Sequence, residues 1–189
     1  IKGELVCDKA FPSMPIYFWN DNDNKRYNNA YFHEFPNKWK HGDFIKISKE
    51  YGVKIYGRSD TTLNPGGIRI GTSEIYQALS DFKLIKDSLV VGKLKDNDEV
   101  IVLFVVIEDT LKLNNELIEK IKLRIKKYCS PKHVPSIIIS VKDIPYTING
   151  KKVEIAVKNI INDLKVNNKD SIVNPESLDC FKKIKDLHL

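Results

Sequence analysis

The chain has 189 residues, is 42% apolar and carries a formal net charge of +6; this composition supports a packed core and excludes global disorder. Its longest apolar run, around Val100 to Ile107, is too short to cross a bilayer as a helix, and the first residues show no charged-then-apolar leader pattern. The three cysteines, Cys7, Cys129 and Cys180, stand far apart with no CxxC pair, which argues against a zinc site or a disulfide framework and for a reducing, cytoplasmic setting.

Residues 11–39 contain nine aromatics and three prolines but no sustained period, and predict short strands and loops, with NDNDNK as a turn cluster. DFIKI (43–47) and VKIYG (53–57) predict two strands around a turn at 50–52. The segment GRSDTTLNPGGIRIG (57–71) holds four of the nine glycines, and a short strand is expected within GGIRIG. TSEIYQALSDF (72–82) predicts a helix with Ile75, Leu79 and Phe82 on one side. Strands follow at 88–91 and 100–107, the second apolar almost throughout and so expected to be central and buried on both faces. NNELIEKIKLRIKKY (114–128) predicts a helix burying Leu117, Ile121, Ile125 and Tyr128. SIIISV (136–141) reads as a strand. KVEIAVKNIINDL (152–164) reads as a helix with Val153, Ala156, Val157, Ile160, Ile161 and Leu164 in register, and 175–184 as a short helix in a polar tail. The fold class expected is α+β, a small mixed sheet of three or four strands with packed helices, preceded by a mainly β segment.

Charge is uneven. Residues 111–160 hold eleven Lys or Arg against four Asp or Glu, an excess that suits an anionic partner or merely solubilises a helix face. No GxxxxGK[ST] or GxGxxG loop is present. Pro65-Gly66-Gly67 can adopt angles closed to other residues, and Gly67 admits close approach; Arg58 and Arg69 can fork onto phosphates, hydroxyls or carboxylates. A glycine-rich interdomain turn with two surface arginines explains the same residues. In IPYTINGKKVE (144–154), Asn149-Gly150 is a tight-turn signal, and Lys151-Lys152 precede a helix whose N-terminus disfavours cations unless an anion joins them; an exposed turn with solvated lysines is the plain alternative. Asp43 either binds a ribose diol or caps a turn. The four histidines, His33, His41, His133 and His188, show no ligand spacing, so no metal site is expected, and no Ser-His-Asp or Cys-His pattern is interpretable.

HGDF (41–44), GRSDTTLNPGGIRIGTSEIY (57–76) and IPYTINGKKVE (144–154) occur in that order and at separations that resemble the C-terminal portion of the adenylate-forming enzymes, the superfamily of acyl-CoA synthetases, firefly luciferase and peptide-synthetase adenylation domains. HGD resembles its GD motif, GRSD its hinge motif and NGKK its terminal lysine motif, with the match running from Gly3 to about Pro175. Within that superfamily GELVC, PSMPIYFWND, SPKHVPS and NPESL are similar to the acetoacetyl-CoA synthetase group.

The resemblance implies a ligase that joins a small carboxylate to coenzyme A at the expense of ATP, through an acyl-adenylate. It implies that Asp43 and Arg58 bind the ribose, that Asp60 is the pivot, that Arg69 contacts phosphate and that Gly67 lines the thiol's path. Lys151 would bridge the acyl carboxylate and the α-phosphate, and Lys126 would meet the CoA nucleotide. Residues 1–59 would close a large N-terminal domain and 60–189 form the mobile C-terminal domain with its extended tail. The phosphate loop, the acidic motif that supports Mg2+ and the acyl pocket would lie upstream, in the partner domain, and the 189 residues alone are expected to be inactive. The wider family often has Ser where Asn149 stands, and Lys152 follows at once; position after Gly150 favours Lys151. Other short-chain acids, such as acetate, propionate or a hydroxy acid, stay open as substrates. A nucleic-acid-binding module is disfavoured because the aromatics lie away from the basic segment, and no membrane partner is expected.

Overall fold

A computed structural model of the chain describes residues 2–166 and 169–185. The chain divides into two compact units, 1–60 and 61–189, so Asp60 closes the first.

The first unit is a three-stranded antiparallel sheet in the order β1-β2-β3, with β1 at Lys2–Cys7, β2 at Trp39–Ile47 and β3 at Val53–Arg58. The β2–β3 turn closes where Ser48 N–H donates to Gly52 O (2.9 Å) and Gly52 N–H to Ser48 Oγ (3.0 Å). Contrary to the expectation of strands and loops alone, 11–39 contains a helix, α1, at Lys25–Tyr31. Asp21 starts it: its buried carboxylate accepts the N–H groups of Arg26 (2.9 Å) and Tyr27 (2.8 Å). Burial pushes its pKa up, but those donors outweigh it and hold the group below its usual value. Tyr27 and Tyr31 pack edge-on against Phe18, and Tyr31 stacks on Trp39 at 5.0 Å, so the unperiodic aromatics form one ring cluster.

The second unit is three-layered. Strands β4 (Ile85–Lys95), β5 (Asp98–Ile107) and β6 (Ile137–Ser140) lie in that order, β5 central, antiparallel to β4 and parallel to β6. The β4–β5 hairpin is longer than the two predicted strands because Asp96 (φ 50°) and Asn97 (φ 63°) both take left-handed angles, the geometry of a two-residue turn matched to strand twist. Side chains alternate across the sheet. Leu89, Val91, Val102 and Phe104 face one core with helices α4 (Glu154–Ile161) and α5 (Leu178–Lys185). Val90, Ile101, Leu103 and Val105 face the other, with α2 (Thr72–Leu79) and α3 (Asn115–Tyr128). Helix α3 makes the crossover that a parallel β5–β6 pair requires, and the Asn114 side chain caps it by accepting Leu117 N–H at 2.9 Å, worth about 1 kcal/mol.

Several sequence expectations change. Tyr128 is 59% exposed and takes the Arg124 guanidinium on its ring at 4.7 Å rather than joining the core. Leu164 is exposed, because α4 ends at Ile161. GGIRIG holds no strand; Pro65–Gly67 is a 3-10 turn, and Leu63 and Ile70 form an isolated antiparallel bridge. The tail is partly core: Ile172, Leu178 and Phe181 are buried, Phe181 edge-on to Phe104 at 4.9 Å. No helix among the described residues is long and apolar enough to cross a membrane.

Candidate functional site

In the first unit Asp43, Arg58 and Asp60 come together because β2 and β3 place Asp43 directly opposite Arg58. His41 Nδ1 lies 3.0 Å from Asp43 Oδ2, and Arg58 Nη1 lies 3.9 Å from Asp43 Oδ1. Arg58 donates to His41 O (3.2 Å) and to Asp60 Oδ2 (3.3 Å). Asp43 is largely buried and Arg58 half-exposed, so these contacts fix geometry more than they stabilise. Gly42, at φ +90°, lies under the guanidinium; a Cβ there would fall 2.8 Å from Nη1 and Nη2. The group borders a cleft of about 450 Å³ walled by Tyr31, Trp39 and His41. Two buried polar atoms of its lining residues, Trp39 Nε1 and Ser59 Oγ, find no hydrogen-bond partner among the described residues.

In the second unit the glycine loop is pinched at its base by paired hydrogen bonds between Leu63 and Ile70 (2.9 and 2.8 Å). Its crest is held by the start of β5: Asn64 N–H donates to Glu99 Oε1 (2.7 Å) and Gly66 N–H to Asp98 Oδ1 (2.9 Å). The N–H groups of Glu99 and Gly66 keep the Asp98 carboxyl below its usual range. Gly66 (φ 56°) and Gly67 (φ 76°) are left-handed, and among the described residues nothing beyond each glycine's own chain neighbours lies within 4 Å of where a Cβ would sit. Backbone angle, not crowding within the chain, therefore demands glycine there. Arg69 is exposed on the same loop.

The NGKK turn separates its two lysines. Gly150 N–H donates to Thr147 O (2.8 Å), Thr147 N–H to Lys151 O (2.8 Å), and Tyr146 pairs with Lys152. Lys151 is exposed at the tip, and its ammonium makes no hydrogen bond or ion pair among the described residues. Lys152 points inward, its Nζ 2.5 Å from Asp87 Oδ1, bonded to Ser88 O and 4.6 Å over the Tyr76 ring. The helix-start lysine that asked for an anion thus finds one within the chain. Tyr146 OH donates to Asp87 Oδ2 (2.6 Å) and Tyr76 OH to Glu154 Oε1 (2.5 Å). Burial raises the Glu154 carboxyl above its ordinary range, although Tyr76, Thr61, Thr72 and Lys152 all act to lower it; burial and then the Glu154 charge push the Tyr76 phenol well up. The tail braces the outer side: Ile148 N–H donates to Ser171 O (3.2 Å), Val173 N–H to Tyr146 O (2.9 Å) and Tyr146 N–H to Asn174 Oδ1 (3.0 Å).

Lys126 is exposed in the last turn of α3, on a different element from Lys151 and the glycine loop. Ser130 Oγ lies 2.8 Å from His133 Nδ1, and His133 Nε2 lies 3.4 Å from Glu74 Oε2. The same Oγ accepts Lys132 N–H, which makes this group a latch between a 3-10 turn and α2. Among the described residues no three or more His, Cys, Asp or Glu gather to hold a metal ion; His188 lies outside them. Sequence reasoning missed Gly42, His41 as Asp43's partner, and the Asp87–Tyr76–Glu154 network. HGD carried a local signal for the first two; Asp87 sits 65 positions from Lys152 and carried none.

The profile of the AMP-binding enzyme C-terminal domain matches residues 74–151. The chain is 47% identical over 98% of its length to an acetoacetyl-coenzyme A synthetase of Rhizobium meliloti, covering 29% of it. The chain is a homologue of the acetoacetyl-CoA synthetases. A synthetase of that name from Xenopus tropicalis is also 47% identical over 98% of the chain. The acetoacetyl-CoA synthetase of Streptomyces lividans superposes with a TM-score of 0.89 at 37% identity, covering the whole chain and 29% of that structure. A benzoate CoA ligase from Burkholderia xenovorans shares the fold at 23% identity and a TM-score of 0.66, over 84% of this chain and 30% of its own. The chain therefore spans less than a third of the length of the acetoacetyl-CoA synthetases it matches.

Proposed function

We propose that this chain is the C-terminal part of a cytoplasmic ATP-dependent acetoacetate–CoA ligase, residues 1–59 closing the large N-terminal domain and 60–189 forming the mobile one. The observation that carries this is the identity of 47% to acetoacetyl-CoA synthetases over 98% of the chain, joined to the exposed, unpaired position of Lys151. In the first step acetoacetate oxygen attacks the α-phosphorus of ATP and pyrophosphate leaves. The Lys151 ammonium bridges the carboxylate and the α-phosphate, offsetting charge that accumulates on the phosphoryl oxygens. Asp43 accepts from the ribose hydroxyls, with Arg58 beside it as donor. The C-terminal domain then turns about Asp60, which separates the two half-reactions in time. The CoA thiol, passing Gly67, attacks the acyl carbonyl and AMP leaves; Arg69 contacts phosphate and Lys126 the CoA nucleotide. Mg2+ is assigned mainly to the large N-terminal domain of the ligase, where the resemblance to adenylate-forming enzymes puts the acidic motif that supports it.

The test uses the full-length ligase, wild type and Lys151→Ala, with AMP release followed over a panel of carboxylates. Acetoacetate is expected to be the best substrate. The variant should lose adenylation yet still form thioester from supplied acyl-adenylate. Preference for another acid would move the substrate assignment, normal adenylation by Lys151→Ala would remove the lysine's role, and acetoacetate-dependent AMP release by the 189 residues alone would refute their dependence on the remaining domain.

A further inference from the structure

Lys152 is an ammonium immediately beside the proposed adenylating lysine, yet it points the opposite way. Successive residues of an extended strand face opposite sides, so with Lys151 exposed at the tip the Lys152 stem turns into the unit. Its donors go to Asp87 Oδ1 (2.5 Å) and to the Ser88 carbonyl, and its charge rests over the Tyr76 ring at 4.6 Å. The two side chains of this ion pair are each only 25% exposed. Across the bridge from Lys152, Tyr146 donates its hydroxyl to the other Asp87 oxygen at 2.6 Å. One carboxylate on β4 thus receives both residues of the bridge at the base of the hairpin. Tyr76, under the Lys152 ammonium, accepts Val90 N–H (3.1 Å) and donates to Glu154 in the first turn of α4. The base of the hairpin is fastened to β4 at Asp87, Ser88 and, through Tyr76, Val90, whereas nearer its tip it makes its own turn bonds and backbone contacts to the tail, with Ile148 N–H donating to Ser171 O (3.2 Å).

We propose that Lys152 is a positioning residue: by locking the hairpin base onto Asp87 it fixes where Lys151 presents its ammonium, and it does not itself meet the substrate. This rests on the adenylating role given to Lys151 above. Removing one member of a three-quarters buried pair leaves the other charge uncompensated, and the base of the hairpin loosens.

The experiment compares Lys152→Met, Lys152→Arg, Lys151→Ala and the double variant Lys151→Ala/Lys152→Met in the full-length ligase. Adenylation is read as carboxylate-dependent ATP–pyrophosphate exchange with the acid the wild type activates, thioester formation from supplied acyl-adenylate, and hairpin order from amide exchange at Thr147 and Lys151. Misplacement of a reacting group by about 1 Å costs on the order of 100-fold, so Lys152→Met should slow adenylation by about 10- to 100-fold, reduce the thioester step far less, and speed hairpin exchange. Lys152→Arg should restore most of the rate. The double variant should be no slower than Lys151→Ala, since a residue acting only through another adds nothing once that other is gone. Additive losses in the double variant, or an Lys152→Met enzyme that adenylates like wild type, overturn the proposal. If wild type activates no carboxylate, the ligase reading falls, while hairpin exchange still reports whether Lys152 is the lock.

Discussion

Replacing Gly42 by alanine separates backbone strain from side-chain displacement. At φ +90° an L-residue is strained, and the new Cβ would lie 2.8 Å from the two terminal nitrogens of Arg58. The guanidinium ends a flexible, half-exposed side chain and can swing away at little cost. The backbone cannot, and left-handed strain of this kind costs about 1–2 kcal/mol. That is about a 5- to 30-fold change in an opening equilibrium. It should appear as faster amide exchange along β2–β3, at Ser59 above all, whose N–H donates to Gly42 O at 2.9 Å. The displaced guanidinium would also lose its contacts to His41 O and Asp60, and the KM for ATP of the full-length ligase should rise. Introducing Gly42→Ala into an Arg58→Ala background tells the two effects apart: the exchange change should persist, and the further rise in KM should vanish. Unaltered exchange in Gly42→Ala would refute the strain argument, and an undiminished KM effect without Arg58 would refute the account through the guanidinium.

Phe181→Ala should destabilise the second unit by about 3–5 kcal/mol, the cost of emptying a fully buried aromatic site, since Phe181 is completely enclosed against Phe104; urea unfolding of the full-length ligase followed by exchange in α5 measures it, and a loss below about 1 kcal/mol would contradict the packing. Asp98 has a folded pKa below its unfolded value, so its support of the glycine loop is complete above the unfolded value and fades as pH falls through the folded one. Protection of the Gly66 amide should therefore hold at neutral pH and decline in acid, and Asp98→Asn should abolish that acid dependence; equal pH profiles for the two proteins would count against the carboxylate.

Local chemistry made much of this molecule readable. The unbroken Val100 to Ile107 run announced the central β5, the spacing of Leu117, Ile121 and Ile125 announced the core face of α3, and Asn149-Gly150 announced its turn. Resemblance to the GD and hinge motifs brought Asp43, Arg58 and Asp60 forward, and the pairing of β2 with β3 accounts for how Asp43 and Arg58 meet. Features decided by distant partners stayed hidden. Helix α1 is only seven residues long, with no periodic apolar stripe, and stands because the Asp21 carboxylate accepts N–H groups of its first turn and the aromatics pack around it. The two lysines of NGKK are indistinguishable as letters; only Asp87 and Tyr76, supplied by β4 and α2, turn one inward and leave the other free. The tail reads as polar because Ile172, Leu178 and Phe181 are sparsely spaced, yet those three seal the core over Phe104 and Leu89.

The pairing of the lysine hairpin with residues 171–174 links its bracing to the order in which the chain is made. Ribosomes make the hairpin first and its outer brace afterwards. A chain halted between Lys152 and Ile172 would already contain Lys151 but would lack the Thr147–Ile172 bridge and the Asn174 contact to Tyr146. An unfinished or proteolytically clipped product would thus keep the Lys152–Asp87 contact at the base of the hairpin and lose the tail's hold on Thr147 and Ile148 nearer its tip.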